Sequence, residues 1–139
     1  MFLADAARNR CRVHQLDFVE AFLKANVRER IFVTLPKVYG DIWPEFKEYC
    51  GRPLRLKKNM YGMAYSGKYW YLDLKDWLHE EGFTQSRAIP CFFCKVFPYG
   101  SYAILILYVD DKLFIGNNDA TLQEFKDKLS KRFDMEFLG

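Results

Sequence analysis

Two adjacent aspartates, Asp110 and Asp111, follow an apolar run from Tyr102 to Val109 in this 139-residue chain. A third, Asp17, sits at the end of another extended stretch, Arg12 to Phe18. Taken alone, an aspartate pair is ordinary turn chemistry, because the side chain bonds nearby backbone N–H groups. Taken together, carboxylates delivered by neighbouring strand ends repel one another, by about 4 kcal/mol per pair at roughly 4 Å and an effective dielectric of about 20. A divalent cation offsets that repulsion. Oxygen-only ligands on rigid strands suit Mg²⁺, above all when a substrate's phosphates complete the shell. Two such ions can clamp the attacking and leaving oxygens of a phosphoryl transfer.

The elements that must position these groups are legible from periodicity. Residues 2–10 read as helix, and Arg12 to Phe18 as a strand with Val13, Leu16 and Phe18 as its apolar members. Ala21 to Ala25 reads as a short helix and Ile31 to Leu35 as a strand stopped by Pro36. Residues 36–53 hold three prolines and two glycines and read as loop around a short helix near Glu45 to Tyr49. Leu54 to Lys58 alternates apolar and basic, which predicts a strand with Arg55 and Lys57 on one face. Ser66 stands where an N-cap would, ahead of Trp70, Leu74, Trp77 and Leu78 at i, i+4, i+7 and i+8, and Gly82 closes that helix. Cys91 to Phe97 and Ser101 to Val109 predict a hairpin across Pro98-Tyr99-Gly100. The continuous apolar run Ala103 to Val109 predicts a strand buried on both faces. Lys112 to Ile115 is extended, Asp119 caps a helix from Ala120 to Phe133, and Met135 to Leu138 begins another strand. The whole predicts an α+β fold: an antiparallel sheet with helices on one face.

Composition narrows the classes. Half the residues are hydrophobic and 28% charged, enough for a core and against a disordered chain. The longest apolar run is far shorter than a membrane span, so no membrane partner is expected. No signal-peptide pattern precedes Asp5, so the four cysteines read as reduced thiols of an intracellular chain. Cys91 and Cys94 point to opposite faces of a strand and have no second pair, which argues against zinc. The net charge is +3, yet Arg52, Arg55, Lys57, Lys58 and Lys68 fall in a stretch with no acidic residue. Such a stretch is either a solvated face or a contact for a polyanion.

Tyr108-Val109-Asp110-Asp111 resembles the catalytic hairpin of reverse transcriptases. Gln15 through Leu23 is similar to the first catalytic motif of the copia-type LTR retrotransposon enzymes, and Leu56 through Met63 with Trp70-Tyr71 to their middle motif. Leu129 through Phe133, with Leu138-Gly139, matches the next segment, so four blocks agree in order over about residues 10–139. The resemblance implies a palm with part of the fingers, in one partial domain over residues 1–139. It implies an RNA-directed DNA polymerase using two Mg²⁺ ions, or Mn²⁺, with dNTPs on an RNA or DNA primer–template. Asp17, Asp110 and Asp111 become the catalytic metal ligands, with the Phe18 carbonyl completing one shell. Phe22 falls at the sugar-discriminating position, where a ring would crowd a ribose 2′-OH and leave it unpaired; read from residues alone it is core packing. Tyr108 would lie near the primer terminus, or serve only as a strand-end aromatic. Arg55, Lys57 and Lys58 would meet the primer–template backbone.

The middle motif departs from the family where Gln, Ala, Pro and Arg are usual and this chain has Tyr65, Ser66, Gly67 and Lys68. Tyr65 and Lys68 then carry nucleotide contact, the latter without arginine's fork. The N-terminal fingers strands, primer grip, thumb and RNase H are expected in the remainder of a polyprotein, and the 139 residues alone to be inactive. An intracellular location, cytoplasmic in virus-like particles and also nuclear, follows from the resemblance. The alternative is a non-catalytic nucleic-acid-binding or interaction domain derived from such an enzyme.

Overall fold

The computed structural model describes residues 4, 8–18, 21–60, 62–108 and 111–138, giving only the backbone at 21, 22, 66 and 111. From the N-terminus the elements are β1 (Arg12–Phe18), α1 (Ala21–Lys24), β2 (Phe32–Thr34), α2 (Lys37–Ile42), a 3₁₀ segment Pro44–Tyr49, and β3 (Pro53–Arg55). There follow α3 (Ser66–Glu80), β4 (Thr84–Gln85), β5 (Phe92–Val96), a 3₁₀ turn Pro98–Gly100, β6 (Tyr102–Tyr108), β7 (Asp111–Gly116), α4 (Asp119–Arg132) and β8 (Met135–Phe137). The chain divides into two compact units, residues 1–21 with 74–139, and residues 22–73, the division falling inside α3. Most of the helix expected over residues 2–10 lies outside the described residues.

The first unit is built on a six-stranded antiparallel sheet in the order β4-β5-β6-β7-β1-β8. Alternation sends Leu16 and Phe18 of β1, Phe93 of β5, Ala103, Leu105 and Leu107 of β6 and Phe114 of β7 to one buried face. Trp77 of α3 and Phe125 of α4 cover that face: their rings are 5.5 Å apart, and Phe125 is 5.1 Å from Phe114 and 4.7 Å from Phe83. Gly116 lets α4 approach, since a Cβ there would stand 2.5 Å from Leu122 and 2.8 Å from the Tyr102 carbonyl. At the end of α3, Gly82 at φ +86° allows the Phe83 N–H to reach the Leu78 carbonyl (2.9 Å) and its own N–H that of His79 (3.0 Å). This Schellman closure is the one the glycine predicts. The second unit holds the two-stranded β2–β3 sheet, α1, α2 and the first turns of α3.

Several expectations are corrected. The run expected over Ala103 to Val109, described as far as Tyr108, is buried on one face only: Ala103, Leu105 and Leu107 are covered, whereas Ile104 and Ile106 are half-exposed, because the described helices that cover β6 stack on one side. The strand expected over Leu54–Lys58 is β3, ending at Arg55, so Lys57 does not share a strand face with Arg55. Residues 36–53 contain α2 as well as the 3₁₀ segment, both opened by prolines that suit a first helical position or the residue before it. The cap of α4 is Asn118, whose side chain accepts from Thr121 N–H at 3.0 Å; Asp119 is instead the first helical residue, where its charge suits the positive end.

Candidate functional site

β1 presents Asp17 because its neighbours are locked. Leu16 is 1% exposed and Phe18 7%, with Phe133 packed edge-on against the Phe18 ring at 5.9 Å. Two buried residues flanking one polar residue fix the register, so Asp17 must face the other side of the sheet. There it is exposed. The β1–β7 ladder runs from Arg12–Gly116 to Leu16–Lys112, so one further step along it brings Asp17 beside Asp111. In-register residues on adjacent strands sit about 5 Å apart between Cα atoms. The β6–β7 ladder ends at the pair Tyr108–Asp111, and Tyr108 is 70% exposed. Asp17, Tyr108 and Asp111 therefore occupy one end of the sheet. Asp110 lies outside the described residues, as does the side chain of Asp111.

The sequence reading missed a fourth acid at this end. β8 pairs with β1 on the side away from β7, placing Glu136 directly opposite Asp17. Both are exposed, and like charges directly opposite destabilise a ladder. The available signal was the alternation Met135-Glu136-Phe137, but nothing in it names β1 as partner. Among the described residues no three His, Cys, Asp or Glu side chains converge on one point; the side chains of Asp110 and Asp111 are not among them. The donors at the sheet end are carboxylate oxygens, a set that fits a hard divalent ion.

The nucleotide candidates lie in the second unit. Tyr65 is half-exposed just before α3, and Lys68 Nζ stands 5.7 Å from its ring centroid, within cation–π range. The Tyr65 carbonyl accepts from Tyr69 N–H at 3.0 Å, tying Tyr65 to the first turn of the helix. Phe22 lies in α1, and its side chain is outside the described residues. Arg55 and Lys57 are exposed. Lys58 is committed locally: its ammonium donates to the Lys24 carbonyl (2.9 Å) and to Asn26 Oδ1 (2.7 Å). Asp73 of α3, also missed, accepts from the Asn26 N–H at 3.1 Å and from Arg28 at 3.2 Å.

A family model described as "Reverse transcriptase (RNA-dependent DNA polymerase)" matches residues 1–139. The chain is 31% identical over 99% of its length to the Retrovirus-related Pol polyprotein from transposon TNT 1-94 of Nicotiana tabacum, covering 10% of that protein. It is 30% identical over 89% of its length to the corresponding polyprotein from transposon RE2 of Arabidopsis thaliana, covering 8%. Against the Transposon Ty1-BL Gag-Pol polyprotein of Saccharomyces cerevisiae it is 28% identical over 99% of its length, covering 7%. The chain thus spans a tenth or less of these curated relatives. No solved structure matches. Among the described residues, no helix is long and apolar enough to cross a membrane.

Proposed function

We propose, since the chain belongs to the reverse transcriptase (RNA-dependent DNA polymerase) family, that it forms the metal-binding core of a copia-type RNA-directed DNA polymerase. The observation that carries this reading is the delivery of Asp17 to the sheet end where β6 and β7 join, with Asp111 next along the ladder. Asp17, Asp110, Asp111 and the Phe18 carbonyl would hold two Mg²⁺ ions, or Mn²⁺. When bound, such ions favour attack of a primer 3′-OH on the α-phosphate of a dNTP and neutralise the charge that develops. The chain's own residues supply position. Phe18, anchored against Phe133, holds the β1 end still; Tyr108 meets the primer terminus; Phe22 excludes a 2′-OH. Tyr65 and Lys68 contact the incoming nucleotide. Arg55 and Lys57 attract backbone phosphate, and Lys58, held by Lys24 and Asn26, braces their loop.

The sheet-bearing unit corresponds in this reading to the palm and residues 22–73 to part of the fingers, inside a longer polyprotein that acts within the cell. Polymerisation depends on alignment of two substrates, and misplacement by about 1 Å can cost 100-fold, so the 139 residues alone should not extend a primer. The test has two parts. Mg²⁺ should raise the melting temperature of the chain by mass action on the folded state, and Asp17→Asn with Asp110→Asn should abolish that gain. Equal stabilisation of both proteins would refute the metal site. Primer extension on an RNA template by the chain, absent in Asp110→Asn, would refute the need for further domains. Tyr65 in place of the family's glutamine favours a second reading, a non-catalytic nucleic-acid-binding domain. That reading gains if the same double substitution also fails to impair a chain restored with its flanking domains.

A further inference from the structure

We propose that a cavity between the N-terminal half of β1 and the helix α4 is a binding site for a phosphate-class oxyanion. The cavity, of about 190 Å³, is lined by Arg12 and His14 of β1 and by Asp119, Leu122, Gln123 and Lys126 of α4. Alternation along β1 puts Arg12 and His14 on the side of the buried Leu16 and Phe18, the side that α4 covers. On α4, residues 119, 122, 123 and 126 fall on one stripe, with the buried Leu122 as the apolar wall. β8 borders β1 only along Leu16–Phe18, with one more hydrogen bond from Leu138 N–H to the Gln15 carbonyl. Among the described residues no strand borders β1 on that side at Arg12–His14.

Its charges are unbalanced in favour of an anion. Arg12 Nε pairs with Asp119 Oδ1 at 3.3 Å, which neutralises the one carboxylate of the lining. The ammonium of Lys126 has no carboxylate within ion-pair distance among the described residues; it stands 4.8 Å over the Phe137 ring. Burial lowers the Lys126 pKa, against a smaller upward pull from Asp119. A partly desolvated ammonium beside an imidazole, a guanidinium and the Gln123 amide, one N–H of which donates to Asp127 Oδ1 at 2.9 Å, offers donors from two elements at different angles. That arrangement suits a tetrahedral phosphate-class oxyanion better than a planar carboxylate. The volume admits inorganic phosphate, pyrophosphate or a single phosphodiester. This site is distinct from the carboxylate end: Arg12 and Asp17 are five residues apart on one strand, roughly 16 Å, and on opposite faces. It does not depend on the proposed polymerase chemistry.

The chain has two histidines, and His79, on α3 beside the Phe93 ring at 6.2 Å, is a built-in control. Imidazole NMR signals of the 139-residue chain would be followed against pyrophosphate, with chloride holding ionic strength constant. The His14 signals should shift saturably and those of His79 should stay. Lys126→Gln should weaken the response about tenfold. Gln123→Glu, an exposed change that adds a negative charge, should weaken it too while leaving the circular dichroism native. A short single-stranded oligodeoxynucleotide is the second arm: a response to it alone assigns the site to backbone phosphate, and a response to pyrophosphate alone to a free anion. No shift with either probe, an equal shift with chloride, or wild-type affinity in both variants would overturn the proposal.

Discussion

The sheet-bearing unit and residues 22–73 keep their apolar side chains in different places. Among the described residues, fifteen of the eighteen buried hydrophobic ones belong to the first, and Ala25, Tyr69 and Trp70 to the second. Nine of the fifteen exposed large hydrophobic residues among those described, Phe32, Tyr39, Trp43 and Phe46 included, lie in the second. The first unit therefore sets its geometry by packing, and its acidic residues inherit that precision through two-residue alternation. The second sets its geometry with polar clamps, Asp73 on Asn26 and Arg28 and Lys58 on Lys24 and Asn26. The proposed metal chemistry sits on the rigid kind of scaffold, and the contacts proposed for Arg55 and Lys57 with the primer–template backbone and for Tyr65 and Lys68 with the nucleotide on the adaptable kind.

The largest test of this contrast is stability. Trp77→Ala removes a ring that packs against Phe125 and Phe133 and should cost about 3–5 kcal/mol in urea unfolding. Trp43→Ala removes an exposed ring tilted against Tyr39 at 4.6 Å, and should cost about 1 kcal/mol or less. Equal costs would break the comparison. Next, Asp73→Ala should cost about 1.5–3 kcal/mol, because it strips a charge-assisted partner from Arg28 and from a backbone N–H. Hydrogen exchange should quicken at the Asn26 amide and remain slow in β6, if the clamp is local.

A smaller effect, with a change of sign, is expected at Glu136. Without divalent ions Glu136→Gln relieves its opposition to Asp17 and should stabilise the chain by about 0.2–1 kcal/mol. In Mg²⁺ the variant should gain less than wild type, because a carboxylate near the proposed ions is gone. Melting curves at both conditions would show whether the two lines cross. The smallest effect is at alkaline pH. Tyr102 Oη lies 2.9 Å from Cys11 Sγ, and that hydrogen bond, followed by burial, raises the phenol pKa above its usual value near 10. A raised folded-state pKa gives stability that is complete below about pH 10 and is lost as pH rises through the folded value. Tyr102→Phe should lose that contribution at neutral pH and flatten the decline above about pH 10, so that the two proteins converge as the pH rises.

Much of this was legible in the residues. The i, i+4, i+7, i+8 pattern of Trp70, Leu74, Trp77 and Leu78 and the closing Gly82 mark α3 almost to its ends, because a long period and a positive-φ glycine are both local signals. α2 was hidden, since a six-residue helix wedged between Pro36 and Pro44 and containing Gly40 carries too few repeats for a period to emerge. Lys57 read as a strand residue by alternation alone, yet β3 stops at Arg55 and Leu56 N–H bonds the Ile31 carbonyl beyond the ladder. Pairing partners, and not the pattern, set where a strand ends.

By itself the sequence determined which carboxylates are present, that Asp17 must oppose Leu16 and Phe18 across its strand, and which family the four motifs belong to. Each of these depends on residues close together in the chain. Only the tertiary structure decided that β8 lies against β1, so that Glu136 faces Asp17, and that Lys126 meets Arg12 and His14 around one cavity. Backbone hydrogen bonds are the same for any pair of strands, and loop-closure entropy rises only slowly with separation. Neither tells a strand which distant edge to join; the packing of the helices and sheet into one core makes that choice.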